Sequence, residues 1–164
     1  MIDTGVLRAR EAFPQVDPLA MNLLLKLNRA ASLTSYDLES AVYRPRGLTW
    51  PAFRLLLTVW AEGPLESKAV AANCGMSRAA VSSLTNTLET QGLLERGQDA
   101  RDKRKILLSL TEQGTEAVES AIQEGNQREK HWVERLTREE QLSLEAMLQR
   151  LVEVAAEPWV RRRD

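Results

Sequence analysis

The stretch Glu66 to Gly92, ESKAVAANCGMSRAAVSSLTNTLETQG, constrains this chain more than any other. It predicts two short helices joined by a turn at Cys74-Gly75-Met76. Val70, Ala71 and Cys74 share one face of the first helix, and Val81, Leu84 and Leu88 share one face of the second. Gly75 falls just past the first helix, where a left-handed backbone costs glycine little. Ala71 is small enough for two helices to cross closely, and the Ser77 hydroxyl caps the second helix. Such a pair presents its second helix outward, in a posture that fits a DNA major groove. An ordinary αα-hairpin with a solvated outer helix has the same spacing.

The outward face of the second helix carries Arg78, Ala79, Ser82, Ser83 and Asn86, with the first acid only at Glu89. A helix meant for a phosphate-lined groove needs that absence, because a carboxylate there would be repelled. Leu93-Leu94-Glu95-Arg96 and Lys105–Leu110 then read as two strands, with Ile106, Leu108 and Leu110 on one side of the second. Between them lies a polar tip, Gly97 to Arg104. Residues 96–105 hold five bases (Arg96, Arg101, Lys103, Arg104, Lys105) against two acids, Asp99 and Asp102. Most charge runs are solvated loops, but a basic hairpin beside such a helix suits phosphate or minor-groove contact.

Here the chain resembles the MarR family of winged helix-turn-helix transcription regulators. The resemblance is carried by Gly47-Leu48-Thr49, Phe53 to Leu57, Met76 to Ser82, Leu88 to Arg96, Asp102-Lys103-Arg104 and Leu108 to Gly114, and it spans residues 19–156. Its most specific piece is the Asp-x-Arg of the wing before the Leu-Thr-x-x-Gly. By resemblance, Arg104 reaches the minor groove and Asp102 supports the wing. Glu66 departs from the family, which usually has Thr or Ser capping the first helix of the pair.

The expected fold is mainly α, a winged helix-turn-helix with a small β-hairpin. Asp17-Pro18 opens a helix to about Tyr43, stopped before Pro45. Thr49 caps the next, with Pro51 in its first turn, running to about Ala61. Thr111 begins a long helix to about Glu134, and Thr137 to Glu140 is a capping box opening the last, to about Ala156. This gives a DNA-binding lobe at 47–111, a discontinuous helical dimerisation lobe at 17–43 and 112–156, and termini at 1–16 and 157–164.

Net charge is −1 over 164 residues, so affinity for nucleic acid has to come from local segregation of charge. Residues 112–157 hold eleven acids and five bases, against the basic wing. Leu144, Met147, Leu148, Leu151, Val152 and Ala155 form a stripe on the last helix, and the first is apolar nearly all round, with Leu19, Met21, Leu23, Leu24, Leu25 and Leu27. A second copy of the chain is the economical cover, and a homodimer with intertwined terminal helices is what the resemblance implies; an intramolecular bundle is the alternative. Two-fold symmetry would place two recognition helices on half-sites ~10 bp apart in a palindromic operator.

The expected DNA-binding residues are Ser77, Arg78, Ala79, Ser82, Ser83, Asn86, Arg101, Lys103, Arg104 and Lys105, with Asp102 as wing support. Arg78 is the candidate base reader, because Arg pairs bidentately with guanine. Repression is the default that the resemblance implies. It also implies, for many members, a small aromatic or phenolic effector between the lobes; here Arg29, Trp50, Arg54 and Trp60 fall in that region, though core tryptophans and solvated arginines account for them better. The residues do not assign an effector site.

A single Cys excludes an intrachain disulfide. Cys74 falls at a core position, which argues against a redox role, and one His, His131, makes no metal site. No nucleophile–base pair or phosphate loop occurs, so no catalytic residue, metal or cofactor is expected, nor an enzyme. No run approaches the ~18 apolar residues of a membrane span, and a cytoplasmic protein is expected. The rival readings are a winged-helix module for protein contacts alone and a ligand-independent or redox-responsive regulator.

Overall fold

Asp17 accepts the Leu19 and Ala20 amides through Oδ1 at 2.9 and 3.1 Å, and Pro18 follows with its φ already set for a helix. From that start the computed structural model, which describes residues 2–160, runs through helix α2 (Pro18–Leu38). Thr49, Ser77, Thr111 and Thr137 do the same for α3 (Trp50–Glu62), α5 (Arg78–Thr90), α6 (Glu112–Val133) and α7 (Arg138–Glu153). The capping box at Thr137 is complete, with the Glu140 carboxylate returning to the Thr137 amide at 2.8 Å.

Two stretches depart from expectation. No element is expected before Asp17, yet Ile2–Ala12 forms helix α1, which packs on α2 by burying Val6 and is tied to it by an Asp3–Lys26 ion pair of 3.1 Å. Its less exposed residues Ile2, Val6 and Ala9 recur at i, i+4 and i+7, the spacing of one helix face. The first long helix also does not stay α-helical to Tyr43. It becomes a π-turn at Glu39–Tyr43 and a 3-10 turn at Arg44–Arg46, which takes Pro45 in its first positions. Glu39 sits at the change, accepting the Trp50 amide at 2.9 Å and the Arg44 guanidinium at 2.9 and 3.1 Å.

The core surrounds α3. Leu55 and Leu56 are fully buried, with Val42, Val70, Val81, Leu108 and Val118 packed from five other elements; each such aliphatic side chain contributes about 1.5–3 kcal/mol on burial. Tyr43 stacks on Phe53 at 4.2 Å between ring centroids and on Trp50 at 5.6 Å. Burial raises the Tyr43 hydroxyl pKa to about 12, helped by the charge of Glu129.

The sheet is three-stranded and antiparallel, in the order β1-β3-β2. β2 (Leu94–Gln98) pairs with β3 (Ile106–Leu110) from Leu94 opposite Leu110 to Gln98 opposite Ile106. β1 (Leu65–Glu66) is too short to leave a sequence pattern and joins through Leu65 opposite Leu108. Leu108 is buried as expected, Leu110 is half-buried, and Ile106 is 46% exposed because the hairpin has by then run beyond the core.

Two arginines tie α6 to the rest of the chain. Arg46 donates to Val42 O at 2.6 Å, Glu124 at 2.7 Å and Ser120 at 3.0 Å. Arg128 grips the Asp37 carboxylate with two hydrogen bonds of 2.6 and 2.7 Å, and the Trp132 indole adds a third at 2.8 Å. These donors hold the Asp37 pKa below its ordinary 3.8. By contrast, α7 buries none of its residues among the described ones: Leu144, Met147, Leu151 and Val152 all stand exposed.

Candidate nucleic-acid interface

Helix α4 (Ser67–Cys74) ends as its sequence requires. The Met76 amide returns to Ala71 O at 3.0 Å and the Gly75 amide to Ala72 O, with Gly75 at φ +61°. Arg54 of α3 donates to the Cys74 carbonyl, satisfying another acceptor of the helix end. Ser77 follows and accepts the Ala80 amide at 3.2 Å. The turn thereby fixes the angle at which α5 leaves the core.

Val81, Thr85 and Leu88 of α5 face inward, while Arg78, Ala79, Ser82, Ser83 and Asn86 are all exposed. The exposed row is free of acids until Glu89, and Glu89 is not a free charge. Arg96, on β2, places Nη1 2.6 Å from the Glu89 carboxylate and Nη2 2.9 Å from Asn86 Oδ1. One guanidinium thus joins the hairpin to the second helix. The contact crosses between elements, so no local spacing announces it.

The hairpin tip is organised by two aspartates. Asp99 Oδ1 accepts the amides of Arg101 and Asp102 at 2.7 and 2.8 Å, and Asp102 Oδ1 accepts the Arg104 amide at 3.1 Å. Backbone bonds between Asp99 and Lys105 and between Lys105 and Asp102 close the loop. The two amides lower the Asp99 pKa, that of Asp102 most and that of Arg101 next. Asp99 holds two amides where Asp102 holds one; its position two residues before Arg101 is an Asx-turn pattern that could have singled it out.

Arg101, Lys103 and Arg104 stand exposed on this tip. Lys105 is engaged elsewhere: its ammonium lies 3.2 Å from Glu66, a hydrogen bond that raises the Lys105 pKa. Glu66 makes no side-chain cap to α4, in keeping with its departure from Thr or Ser. Its carboxylate instead pins the base of the wing.

The four residues considered for an effector do not form one group within the chain. Trp50 belongs to the aromatic stack, Arg54 to the Cys74 carbonyl, and the Trp60 indole reaches Glu119 at 3.4 Å, while Arg29 is exposed on α2. Spacing along α3 could not separate them, because Trp50, Arg54 and Trp60 leave the helix toward different neighbours. An open groove of about 570 Å³ lies instead along Asp37, Arg128, His131, Trp132 and Arg135. Cys74 is buried, with Sγ 3.1 Å from the Thr58 hydroxyl. Among the described residues no cluster of three or more His, Cys, Asp or Glu is placed to hold a metal ion, and no helix is long and apolar enough to cross a membrane.

A helix pair with an acid-free outer face, flanked by a basic hairpin, defines a winged helix-turn-helix. Residues 48–106 match the sequence model of the MarR family. YwaE of Bacillus subtilis, an uncharacterized HTH-type transcriptional regulator, is 29% identical over 82% of this chain and 78% of its own. The fold is shared with a mutant MarR from E. coli solved with operator DNA, at TM-score 0.73 and 20% identity over 87% of this chain and 96% of that one. It is shared too with Bordetella bronchiseptica BpsR, whose DNA binding is regulated by 6-hydroxynicotinic acid, at TM-score 0.70 and 22% identity over 79% and 98%. The chain is thus similar to MarR-family proteins across its winged helix-turn-helix and is a MarR-type, DNA-binding transcription regulator.

Proposed function

We propose that this regulator works as a homodimeric repressor of a palindromic operator and is released by a small aromatic or phenolic carboxylate. The observation that carries the DNA-binding part is the exposed row Arg78, Ala79, Ser82, Ser83 and Asn86 beside a wing presenting Arg101, Lys103 and Arg104. Arg78 and Ser77, at the N-terminal end of α5, enter deepest and read base edges. Arg104 enters the minor groove, Asp102 and Asp99 hold it there, and Arg101 and Lys103 meet phosphates. Lys105 contributes its field while bound to Glu66.

The homodimer is supported by α7, which buries nothing among the described residues, and by Leu19, Leu23 and Leu24 exposed on α2. Residues 17–43 and 112–156 would form the dimer lobe and 47–111 the DNA-binding lobe. Release by an aromatic acid is supported by BpsR and by the cation–aromatic groove at Arg128, His131 and Trp132. A wing used for protein contacts alone would not need Arg78 and the basic tip together.

A gel shift with the DNA upstream of its own gene tests this reading. A discrete shift that survives excess random duplex, and that 6-hydroxynicotinate or a similar acid reverses, is expected. Equal binding to random DNA would overturn the operator, and a shift insensitive to aromatic acids would remove the effector.

A further inference from the structure

Asn86 is the last member of the exposed row on α5 and the one whose side chain is not free to choose its orientation. An unrestrained Asn amide offers a donor and an acceptor side by side, which is what allows it to pair bidentately with N6 and N7 of adenine. Here Oδ1 already accepts Arg96 Nη2 at 2.9 Å. The same guanidinium holds Glu89, three residues further along the helix, at 2.6 Å. A planar fork engaged at both ends has little freedom to rotate, and its bonds are charge-assisted. Arg96 is also anchored from behind, because it sits opposite Leu108 in the β2–β3 register.

We propose that Arg96 and Glu89 are positioning residues that turn Asn86 into a single-donor reader of the operator. With one Oδ1 lone pair committed to Arg96 and the amide plane held, Nδ2 is the group of Asn86 left to meet a base. That donor finds an acceptor on guanine (O6, N7), adenine (N7) and thymine (O4), whereas cytosine offers its own N4 donor in the major groove. One position in each half-site therefore tolerates three bases and rejects cytosine, and the adenine preference of a free Asn is suppressed. Specificity at that position is set by a residue of the wing strand that itself touches no base. The inference rests on α5 being the major-groove helix.

The test is selection by the full-length protein from random-sequence duplexes, with sequencing of the bound pool. If no motif is enriched, the operator-reading function fails and takes this inference with it. Given a motif, wild type should exclude cytosine at one position per half-site roughly 3–10-fold, the scale of one hydrogen bond. Asn86→Ala should abolish that exclusion. Asn86→Asp, which keeps the acceptor for Arg96 but replaces the donor by a second acceptor, should make cytosine the favoured base there. Arg96→Met should free the amide and shift the same position to adenine, with the other positions unchanged. A wild-type preference for adenine at that position, an unaltered profile in Asn86→Asp, or an unaltered profile in Arg96→Met would each overturn the proposal while leaving the regulator a regulator. Asn86→Asp lies on the surface and keeps the test alive should Arg96→Met unfold.

Discussion

Gly114 lies against the carbonyl of Leu93 so closely that a Cβ on Gly114 would stand 1.9 Å from that oxygen. The approach is enforced from both sides. Thr111 donates its hydroxyl to Gly92 O at 2.7 Å and its amide to Leu93 O at 3.3 Å, while capping α6 through the Gly114 amide. The Leu-Thr-x-x-Gly segment is therefore the joint at which the wing passes into the long helix.

Gly114→Ala should destabilise the protein by about 3 kcal/mol or more, because backbone has to move. Gly125→Ala, on the same helix with only the Tyr43 hydroxyl at 3.9 Å from the added carbon, should instead stabilise by about 0.5–1 kcal/mol. Urea unfolding of the two variants checks the opposite signs.

For the proposed homodimer, replacing Leu144 and Leu151 by Glu should leave the fold of residues 47–111 intact and yield a monomer, since both side chains are exposed. Sedimentation velocity at matched concentration measures it. A variant that stayed dimeric would move the interface away from α7.

Asp37 gives the acid limb of stability a specific source. Its folded pKa lies below 3.8, lowered first by the hydrogen bonds from Arg128 and then by that from Trp132. The contribution is complete above the unfolded value and is lost as pH falls through the lower folded one. Asp37→Asn should therefore be less stable than wild type near neutrality, and the gap should close as pH falls below about 4. Unfolding midpoints across that range decide it.

Base reading and backbone anchoring should separate by salt. Arg78→Ala should narrow the gap between operator and random DNA. Lys103→Ala should weaken both alike and reduce the salt slope by about one unit. Arg104→Ala should cost about 1–3 kcal/mol of operator affinity with the fold unchanged. Fluorescence anisotropy on specific and scrambled duplexes across a salt series resolves the three.

What could be read in advance divides along a physical line. Caps and turns were legible because they are local: Asp17, Thr49, Ser77, Thr111 and Thr137 cap as their positions predict, and Gly75 ends α4 as expected. The exposed row of α5 followed from its 3.6-residue period. The Arg96 fork, the Lys105–Glu66 pair and the Asp37 carboxylate joining α2 to α6 are contacts between elements, and nothing in the spacing of either partner encodes them. The same reason scattered Trp50, Arg54 and Trp60, which share a helix but not a destination.

A helix such as α7, which buries none of its residues among the described ones, would in the proposed homodimer hand part of its stability to the abundance of the protein. If a second copy supplies that surface, assembly scales with the square of chain concentration, and operator occupancy climbs more steeply than the number of molecules made. A few stray copies would then remain silent, and a modest rise in synthesis would act as a threshold.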